Sequence, residues 1–285
     1  MSSKPLLLSD NWFESVLLNP SYAIAVDQPL VSGRELFRVA DNLRDLTSCT
    51  TPTLNTRVNF YVVLPTAKAP TILILDRGHN LAGKNCALAG YADPGFVTQN
   101  YTYTFTVPST PGGLGTDANG CLTSDGVWWR SFSGLPASAV WSVAPAPLGV
   151  GIAPILTGVY LGTSYRFPEY LNAPAAYDYG TTIKHMRNEL SRGGVRSKSR
   201  PLNFDKLAFN VHLDSADYSG FDTEVRRLLR YGQPWWFCLD DSDATGSGLM
   251  RLFQSSADMD YNPQVNPVHR EIQFQLEEVI PTLFV

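Results

Sequence analysis

Residues 207–241, LAFNVHLDSADYSGFDTEVRRLLRYGQPWWFCLDD, are the stretch that decides the fold. Apolar and polar side chains alternate over residues 207–213, which is the two-residue period of a strand with one buried face. Gly232 then provides a helix stop, and an apolar run follows at residues 234–239. Between the strand and the stop, apolar residues recur at the spacing of one helix face: Phe221, Val225, Leu228 and Leu229. This order predicts a strand, one short helix and further strands.

Strand patterns continue on both sides of this segment. Runs at residues 249–253 and 271–277 complete a C-terminal β domain with one helix. Towards the N-terminus, alternating runs at residues 58–64 and 101–107 and a buried-strand pattern at residues 71–75 are separated by glycine and proline turns. Strands about a dozen residues apart are typical of a sandwich or jelly roll. The predicted fold class is mainly β: a jelly-roll or β-sandwich domain followed by a β-sandwich domain with one flanking helix.

The expected domain boundaries follow the change in pattern near residue 170. Residues 168–180, PEYLNAPAAYDYG, have no periodicity and predict the linker. We expect an N-terminal segment at residues 1–30 that packs on the C-terminal domain, a jelly roll at residues 31–172 and the second domain at residues 173–285. The apolar patches of the N-terminal segment are equally typical of an edge strand in its own sheet.

Composition excludes several classes of protein. A net charge of −4 argues against a dedicated nucleic-acid binder, which needs a basic surface. The four cysteines have no C-x-x-C spacing and predict neither a disulfide framework nor a zinc site. The first apolar run is only three residues long, and no run approaches the length of a membrane span. We expect synthesis in a cytoplasm, no membrane partner, no metal and no cofactor.

Two short segments resemble functional sites: one a catalytic acid–base pair, the other a calcium-binding loop. Asp76 and His79 come directly after a strand pattern and could form the acid–base pair of a hydrolase. Side chains that satisfy the backbone of a strand-to-loop turn are the favoured interpretation. Residues 241–246, DSDATG, match the start of a calcium loop, but position twelve is Leu252 where a glutamate is needed, so a hairpin turn is favoured. No catalytic residue is predicted, and the protein is not expected to be an enzyme.

Two tryptophan pairs and one basic segment are the candidate binding residues. Trp128 and Trp129 could present an aromatic platform to a sugar, whereas Trp235 and Trp236 are expected in a core and at a protein interface. Residues 184–200 surround a glycine pair and predict a long hairpin or mobile loop that contacts protein. Its basic side chains are Lys184, Arg187, Arg192, Arg196, Lys198 and Arg200.

Residues 176–285 resemble the tail-tube fold of bacteriophage tails. The resemblance is carried by the strand and helix above, the phrase YGQPWWFCLDD and the closing HREIQFQLEEV. The basic segment resembles the hairpin with which such proteins complete a ring. The middle region resembles a galactose-binding, discoidin-like jelly roll in ILILDRGHNLAG at residues 72–83 and in the strand Trp128-Trp129-Arg130. The GGLGTDANG loop departs from that module, so sugar binding is not implied by the resemblance.

Together the resemblances imply a structural virion protein of distal-tail type. The C-terminal domain would form a six-fold ring around the tail lumen, next to the tail tube, and the jelly roll would hold tail-tip or receptor-binding proteins. The implied ring contacts are Arg187, Arg192, Arg196, Phe221, Leu228, Trp235 and Trp236. The alternative is a carbohydrate-binding tail accessory protein that acts through its jelly roll, with Trp128 and Trp129 as the platform.

Overall fold

The chain divides into two compact units. Unit 1 comprises Met1–Leu7, Tyr165–Asp240 and Arg251–Val285, and unit 2 comprises Leu8–Ser164 and Asp241–Met250. The computed structural model describes residues 6–30, 32, 35–40, 48–49, 57–76, 79–107, 127–148, 152–167, 177–184, 187–188, 197–198, 202–225, 234–238, 250–255, 261–266 and 269–279.

Unit 2 is built mainly from short strands, the first of which begins in unit 1. In chain order its elements are β1 (Leu6–Asn11), α1 (Trp12–Leu18), β2 (Ala23–Val26), a 3₁₀ helix (Leu36–Val39), β3 (Ser48–Cys49), β4 (Phe60–Lys68), β5 (Ile72–Leu75), β6 (Asn85–Tyr91), β7 (Gln99–Thr106), β8 (Trp128–Ser131), β9 (Ser138–Pro145), β10 (Ile155–Leu156) and β11 (Val159–Arg166).

The strands of unit 2 form a sandwich. A five-stranded sheet has the order β2-β4-β9-β6-β7, and every neighbouring pair is antiparallel. β5 pairs antiparallel with β11 on one side and β8 on the other. The core between these sheets is apolar on both sides and includes Phe60, Val62, Leu88, Trp141, Val143, Leu73, Leu75, Trp128, Val159 and Leu161. The predicted fold class, mainly β with jelly-roll or sandwich architecture, is confirmed.

β5 and β7 show why the sequence patterns were informative. Every residue of β5 is buried, as expected for a central strand with both faces covered. In β7, Thr102, Thr104 and Thr106 are exposed, whereas Phe105 belongs to the core. The alternation of threonine with aromatic residues therefore reports the two faces of that strand.

The N-terminal segment differs from its predicted form. The segment was expected to be extended, but Trp12–Leu18 is a helix because the Asn11 side chain accepts a hydrogen bond from Phe13 N at 3.3 Å and caps it. Trp12 and Phe13 lie in the core of unit 2. Asp10 Oδ2 accepts from Trp12 Nε1 at 3.2 Å and lies 3.5 Å from Lys68 Nζ. The chain from Leu8 onwards therefore belongs to unit 2, not to the C-terminal unit as predicted for residues 1–30.

Unit 1 is a second β structure with one helix. Its elements in chain order are β12 (Tyr177–Lys184), β13 (Arg187–Asn188), β14 (Ser197–Lys198), β15 (Leu202–Asp214), α2 (Ser215–Glu224), β16 (Trp235–Cys238), β17 (Met250–Ser255), β18 (Tyr261–Asn266) and β19 (His269–Glu278). The sheet runs β12-β15-β19-β17-β16, and β18 pairs with β19 beside β17. β1 adds to β16 through Leu6 and Leu7. The core of unit 1 contains Leu207, Leu213, Phe221, Val225, Trp235, Phe237, Phe253, Phe274 and Leu276.

Two element boundaries in unit 1 differ from the prediction. The helix begins at Ser215, directly after β15, whereas the apolar spacing placed it over residues 221–231. Its first turns are polar and carry no apolar period, so only Phe221 and the following Val225 marked it. The predicted linker at residues 168–180 also ends earlier, because Tyr177 opens a strand that pairs with β15 over eight residues.

Candidate functional site

The aromatic residues predicted for a ring interface lie inside unit 1. Phe221, Trp235 and Trp236 are all buried in the single chain. The Trp235 ring meets Phe237 edge-on at 5.8 Å and Phe274 at 6.1 Å between centroids. These rings therefore stabilise the fold of unit 1 and offer no exposed surface, which differs from the predicted interface role.

The predicted hairpin is present where the structure describes it. β12 pairs with β15 as far as Lys184 opposite Leu202, and β13 pairs with β14 through Arg187 opposite Lys198. Both pairings are antiparallel and join the same two segments of the chain, as the predicted hairpin requires, and the residues between them lie outside the described part of the chain. Arg192, Arg196 and Leu228 lie outside the described residues. The contact made by this basic hairpin stays a prediction.

The predicted sugar platform is not accessible. Trp128 is 5% exposed and Trp129 is 1% exposed. Trp128 stacks on Phe105 with centroids 4.3 Å apart and planes at 6°, inside the sandwich. Trp129 lies on the other face of β8, opposite Ile74 of β5, and that face is buried as well. A pair of adjacent tryptophans on a strand covered on both faces cannot present a ring to a ligand.

Asp76 and His79 follow β5, on either side of residues 77–78, which lie outside the described residues. Both side chains are buried. Asp76 N donates to Gly158 O at 3.0 Å, and His79 Nδ1 accepts from Leu81 N at 3.2 Å. The His79 contact, a side chain that accepts from a nearby backbone N–H, is the kind that the turn interpretation expects, whereas the hydrogen bond at Asp76 is made by its backbone. Among the described residues, no group of three or more His, Cys, Asp and Glu side chains could hold a metal ion, and no helix is long and apolar enough to cross a membrane.

The structure brings together an aromatic patch that the sequence patterns did not single out. We define the aromatic patch as Tyr61 of β4, Tyr91 of β6 and Phe96 of the β6–β7 loop. The Phe96 ring lies against Tyr61 at 4.1 Å between centroids, and Tyr91 stands edge-on to both, at 6.3 Å from Tyr61 and 5.9 Å from Phe96. Tyr61 is mostly covered, whereas Tyr91 and Phe96 are partly exposed. The patch therefore consists of two partly exposed rings, Tyr91 and Phe96, packed on the buried ring of Tyr61.

The β6–β7 loop holds Phe96 in a demanding conformation. Phe96 has a φ of 58°, in the left-handed region that costs a side-chain-bearing residue about 1–2 kcal/mol. The exposed carboxylate of Asp93 accepts hydrogen bonds from Gly95 N at 3.0 Å, Val97 N at 3.3 Å and Thr98 N at 2.8 Å. These donors, led by Thr98, hold the pKa of Asp93 below its ordinary value. Strain retained at an exposed aromatic residue is typical of a functional site.

A polar pair lies next to the patch on the same face of the five-stranded sheet. Asn59 N donates to Asp27 Oδ1 at 3.0 Å, and Asn59 Nδ2 donates to Asp27 Oδ2. Asn59 directly precedes β4 and lies two residues before Tyr61. Side chains two residues apart along an extended chain point to the same side, so both lie on the outer face of the five-stranded sheet. Burial, followed by the charge of Asp27 and the neighbouring Tyr91, raises the pKa of Tyr61 to about 12. The Asp27 carboxylate is exposed and keeps lone pairs for further donors.

Small residues beneath the rings make room for the patch. The strand register sets Tyr61 opposite Ser142 of β9, and Ser142 opposite Ala89 of β6. Ala25 of β2 lies on the other side of Tyr61. Ser142 is fully buried, and its Oγ has no hydrogen-bond partner among the described residues. Alanine and serine across the outer face let aromatic rings from β4 and β6, which are separated by β9, lean over the sheet and meet.

The patch was missed because its rings come from separate parts of the chain. Tyr61 lies in the alternating run at residues 58–64, and the alternation gives no sign that its outward side chain meets rings from other strands. The only local signal is Asp93-Pro94-Gly95, a turn sequence directly before an exposed aromatic residue. The contact itself depends on the strand order β4-β9-β6, which no sequence period reveals.

Comparison with known proteins finds distant structural likenesses and no match in sequence. No family model matches the sequence, and no curated protein matches it. The lectin domain of lectinolysin, solved with Lewis B antigen, is 11% identical with a TM-score of 0.38 and is matched over 55% of this chain and 99% of that domain. The family 32 carbohydrate-binding module of C. perfringens NanJ, solved with galactose, is 10% identical with a TM-score of 0.38, over 56% of this chain and 99% of the module. Chitosan-binding module 1 of a chitosanase/glucanase from Paenibacillus sp. IK-5 is 12% identical with a TM-score of 0.36, over 50% and 94%. At these TM-scores the likeness assigns neither a family nor a ligand to the chain.

Proposed function

We propose that unit 2 is a non-catalytic carbohydrate-binding domain and that the aromatic patch is its binding surface. The observation that carries the proposal is Phe96, an aromatic residue held at a left-handed φ by the Asp93 carboxylate and partly exposed beside Tyr91. Val97, next in the chain, is 84% exposed. Apolar side chains that a loop holds in contact with water add little to the stability of the fold. They are available to contact a ligand.

The patch has the two kinds of group that a sugar ring requires. The C–H face of a pyranose is apolar and can lie on the exposed parts of Phe96 and Tyr91. The Asp27 carboxylate and the Asn59 side chain lie at the edge of the patch and can bond to hydroxyl groups. A few fixed polar groups beside an apolar contact surface orient a small ligand. The preformed loop lowers the cost of ordering on binding.

Glycan binding by the full-length chain and its Phe96 variants tests this proposal. An array screen identifies the bound glycan, and titration calorimetry measures its affinity. Phe96→Ala should weaken binding about tenfold, in line with the loss of one stacked ring. Phe96→Gly should do the same while relieving the left-handed strain, so a folding defect cannot explain both results. Phe37→Ala removes a partly exposed aromatic residue outside the patch and should bind as the parent does. Undiminished binding by both Phe96 variants, or no binding by the parent to any glycan, would refute the proposal.

A second candidate function, assembly into a ring at the distal end of a phage tail, is favoured by the long hairpin of unit 1. β12 is the outermost strand of its sheet and pairs only with β15 among the described strands. An open strand edge beside a basic hairpin can join a neighbouring subunit. In this proposal the protein is a virion component that self-associates as a six-fold ring next to the tail tube and the tail-tip proteins.

Images of the purified chain in negative stain test the ring. Closed rings with a central hole are expected. The double change Arg192→Glu and Arg196→Glu should give folded monomers, whereas the same charge reversal in unit 2, at Arg57 and Lys84, should leave rings intact. Rings that survive the hairpin change would remove the hairpin from the assembly, and a monomeric parent protein would contradict the ring itself.

A further inference from the structure

Arg130 of β8 is a charged side chain whose only partner among the described residues is an aromatic ring. Its Cζ lies 4.6 Å from the centroid of the Tyr103 ring. The side chain is partly buried. In the described part of the chain, its guanidinium makes no hydrogen bond and no ion pair. All five N–H donors of the fork are therefore available.

The position of Arg130 is set by a rigid aromatic support. Tyr103 stacks on Phe105 at 6.1 Å and 19° and meets Phe132 edge-on at 5.6 Å and 80°. Phe105 in turn stacks on the buried Trp128. β7 and β8 are the outermost strands of their sheets, so this row of rings closes one rim of the sandwich. We define the Arg130 rim as Tyr103, Arg130 and Phe132.

Arg38 of unit 2 shows how the surroundings of Arg130 differ from those of another arginine that lies over an aromatic ring. Arg38 also lies over an aromatic ring, with its Cζ 4.4 Å from the Phe37 centroid, but it forms an ion pair with Glu35 at 3.5 Å. Arg130 has the same kind of ring contact without the carboxylate. A cation partly removed from water and left without an anion is costly to the fold, and an incoming carboxylate would remove that cost.

We propose that the Arg130 rim binds the carboxylate of an acidic sugar unit, such as a uronic acid. The planar fork matches the two oxygens of a carboxylate, and the single positive charge of the described rim matches a monoanion. The edges of Tyr103 and Phe132 supply the apolar contact for the sugar ring. The inference rests on the proposed carbohydrate role of unit 2 but uses a different surface from the aromatic patch.

Trigalacturonic acid and its neutral counterpart, in which each carboxylate is a hydroxymethyl group, provide the test on the full-length chain. The parent protein should bind the acid at least about tenfold more tightly, which is the range for a hydrogen-bonded charge pair. Arg130→Gln should abolish that preference, and Arg130→Lys should keep only part of it because the fork is lost. Arg38→Gln is the matched control and should keep the preference. Rising salt should reduce it.

The melting temperature separates a binding role from a structural one. Arg130→Gln removes an uncompensated charge and should melt no lower than Arg38→Gln, which breaks an existing ion pair. A parent protein that shows no preference for the acid, or an Arg130→Gln protein that retains it, would overturn the inference. Equal binding of a sulfated trisaccharide or a glutamate-rich peptide would overturn the assignment to an acidic sugar. Because the two surfaces are separate, Phe96→Ala should leave the carboxylate-dependent binding at the Arg130 rim unchanged, and Arg130→Gln should leave glycan binding at the aromatic patch unchanged, so failure of the aromatic patch and failure of the Arg130 rim give different results.

Discussion

Gly162→Ala is the sharpest test of how the N-terminal segment joins unit 2. Gly162 lies in β11, and a Cβ added there would overlap the carbonyl oxygen of Asp10 and lie 2.8 Å from its carbonyl carbon. The obstacle is backbone, so it cannot rotate away as a side chain would. Carbon atoms in ordinary contact are about 3.5–4.0 Å apart. The two segments must therefore separate to admit the methyl group.

The expected loss follows from the contacts around Gly162. Leu161 N donates to Asn11 Oδ1 at 3.3 Å, and Ser9 Oγ donates to Thr163 O at 3.2 Å. Weakening these two hydrogen bonds costs about 1 kcal/mol each, and overpacking costs roughly 1–3 kcal/mol more. We expect a loss of about 3–5 kcal/mol in the free energy of unfolding of unit 2. For a unit of this size the melting temperature would fall by about 6–20 °C.

Scanning calorimetry of the full-length chain measures this fall, and Gly134→Ala is the control. Gly134 has a φ of +70°, but an added Cβ would meet no atom within 4 Å, so its replacement tests backbone strain alone. That strain should cost about 1 kcal/mol. A Gly162→Ala protein that melts within about 2 °C of the parent, or no lower than Gly134→Ala, would show that Asp10 does not lie against β11.

Three further predictions concern stability and titration. Gly220→Ala should stabilise unit 1 by about 0.5–1 kcal/mol in urea unfolding, because Gly220 is exposed in α2 and its added Cβ would meet only Tyr165, at 3.8 Å; a lower stability would contradict the helix. Cys86 should resist alkylation at about pH 8 until the protein unfolds, since burial raises its pKa to about 12; peptide mass spectrometry that finds Cys86 labelled in the native protein would refute its burial. Tyr61 and Tyr165 should ionise near pH 12, because burial chiefly raises both pKa values to about 12, and their contribution to stability should be complete below about pH 10 and lost as the pH rises towards 12. Absorbance titration should show fewer late-ionising tyrosines in Tyr61→Phe and Tyr165→Phe, and an unchanged curve would contradict this.

Much of the fold followed from short-range patterns. The alternation over residues 207–213 identified the long strand β15, and the threonine–aromatic alternation of β7 identified both of its faces. The start of α2 escaped prediction because its first turns are polar, and a period is visible only where apolar residues recur. The helix Trp12–Leu18 escaped because its signal is a capping asparagine at residue 11 rather than an apolar stripe.

The candidate sites were harder to predict than the strands. Adjacent tryptophans suggested exposure at residues 128–129, but β8 pairs with a strand that is covered on both faces, and burial of that kind is a property of the assembled sheets. Tyr61 and Tyr91 lie thirty positions apart in the sequence. Their rings meet because only one strand, β9, separates β4 from β6 in the sheet. The position of Arg130 over the Tyr103 ring depends on the pairing of β8 with β5 and on the approach of β7, and no sequence period reveals it.

The groups that anchor Phe96 in the β6–β7 loop keep one charge state over a wide range of acidity. Because the pKa of Asp93 is depressed, its carboxylate keeps the loop tied in mild acid and releases it only when the pH falls below the ordinary carboxyl range. Tyr61 beneath the loop stays neutral until strong alkali. Between these limits neither the anchor nor the base of the patch changes charge. A surface of this kind would work equally well in acidic and in alkaline surroundings, with no adjustment of its shape.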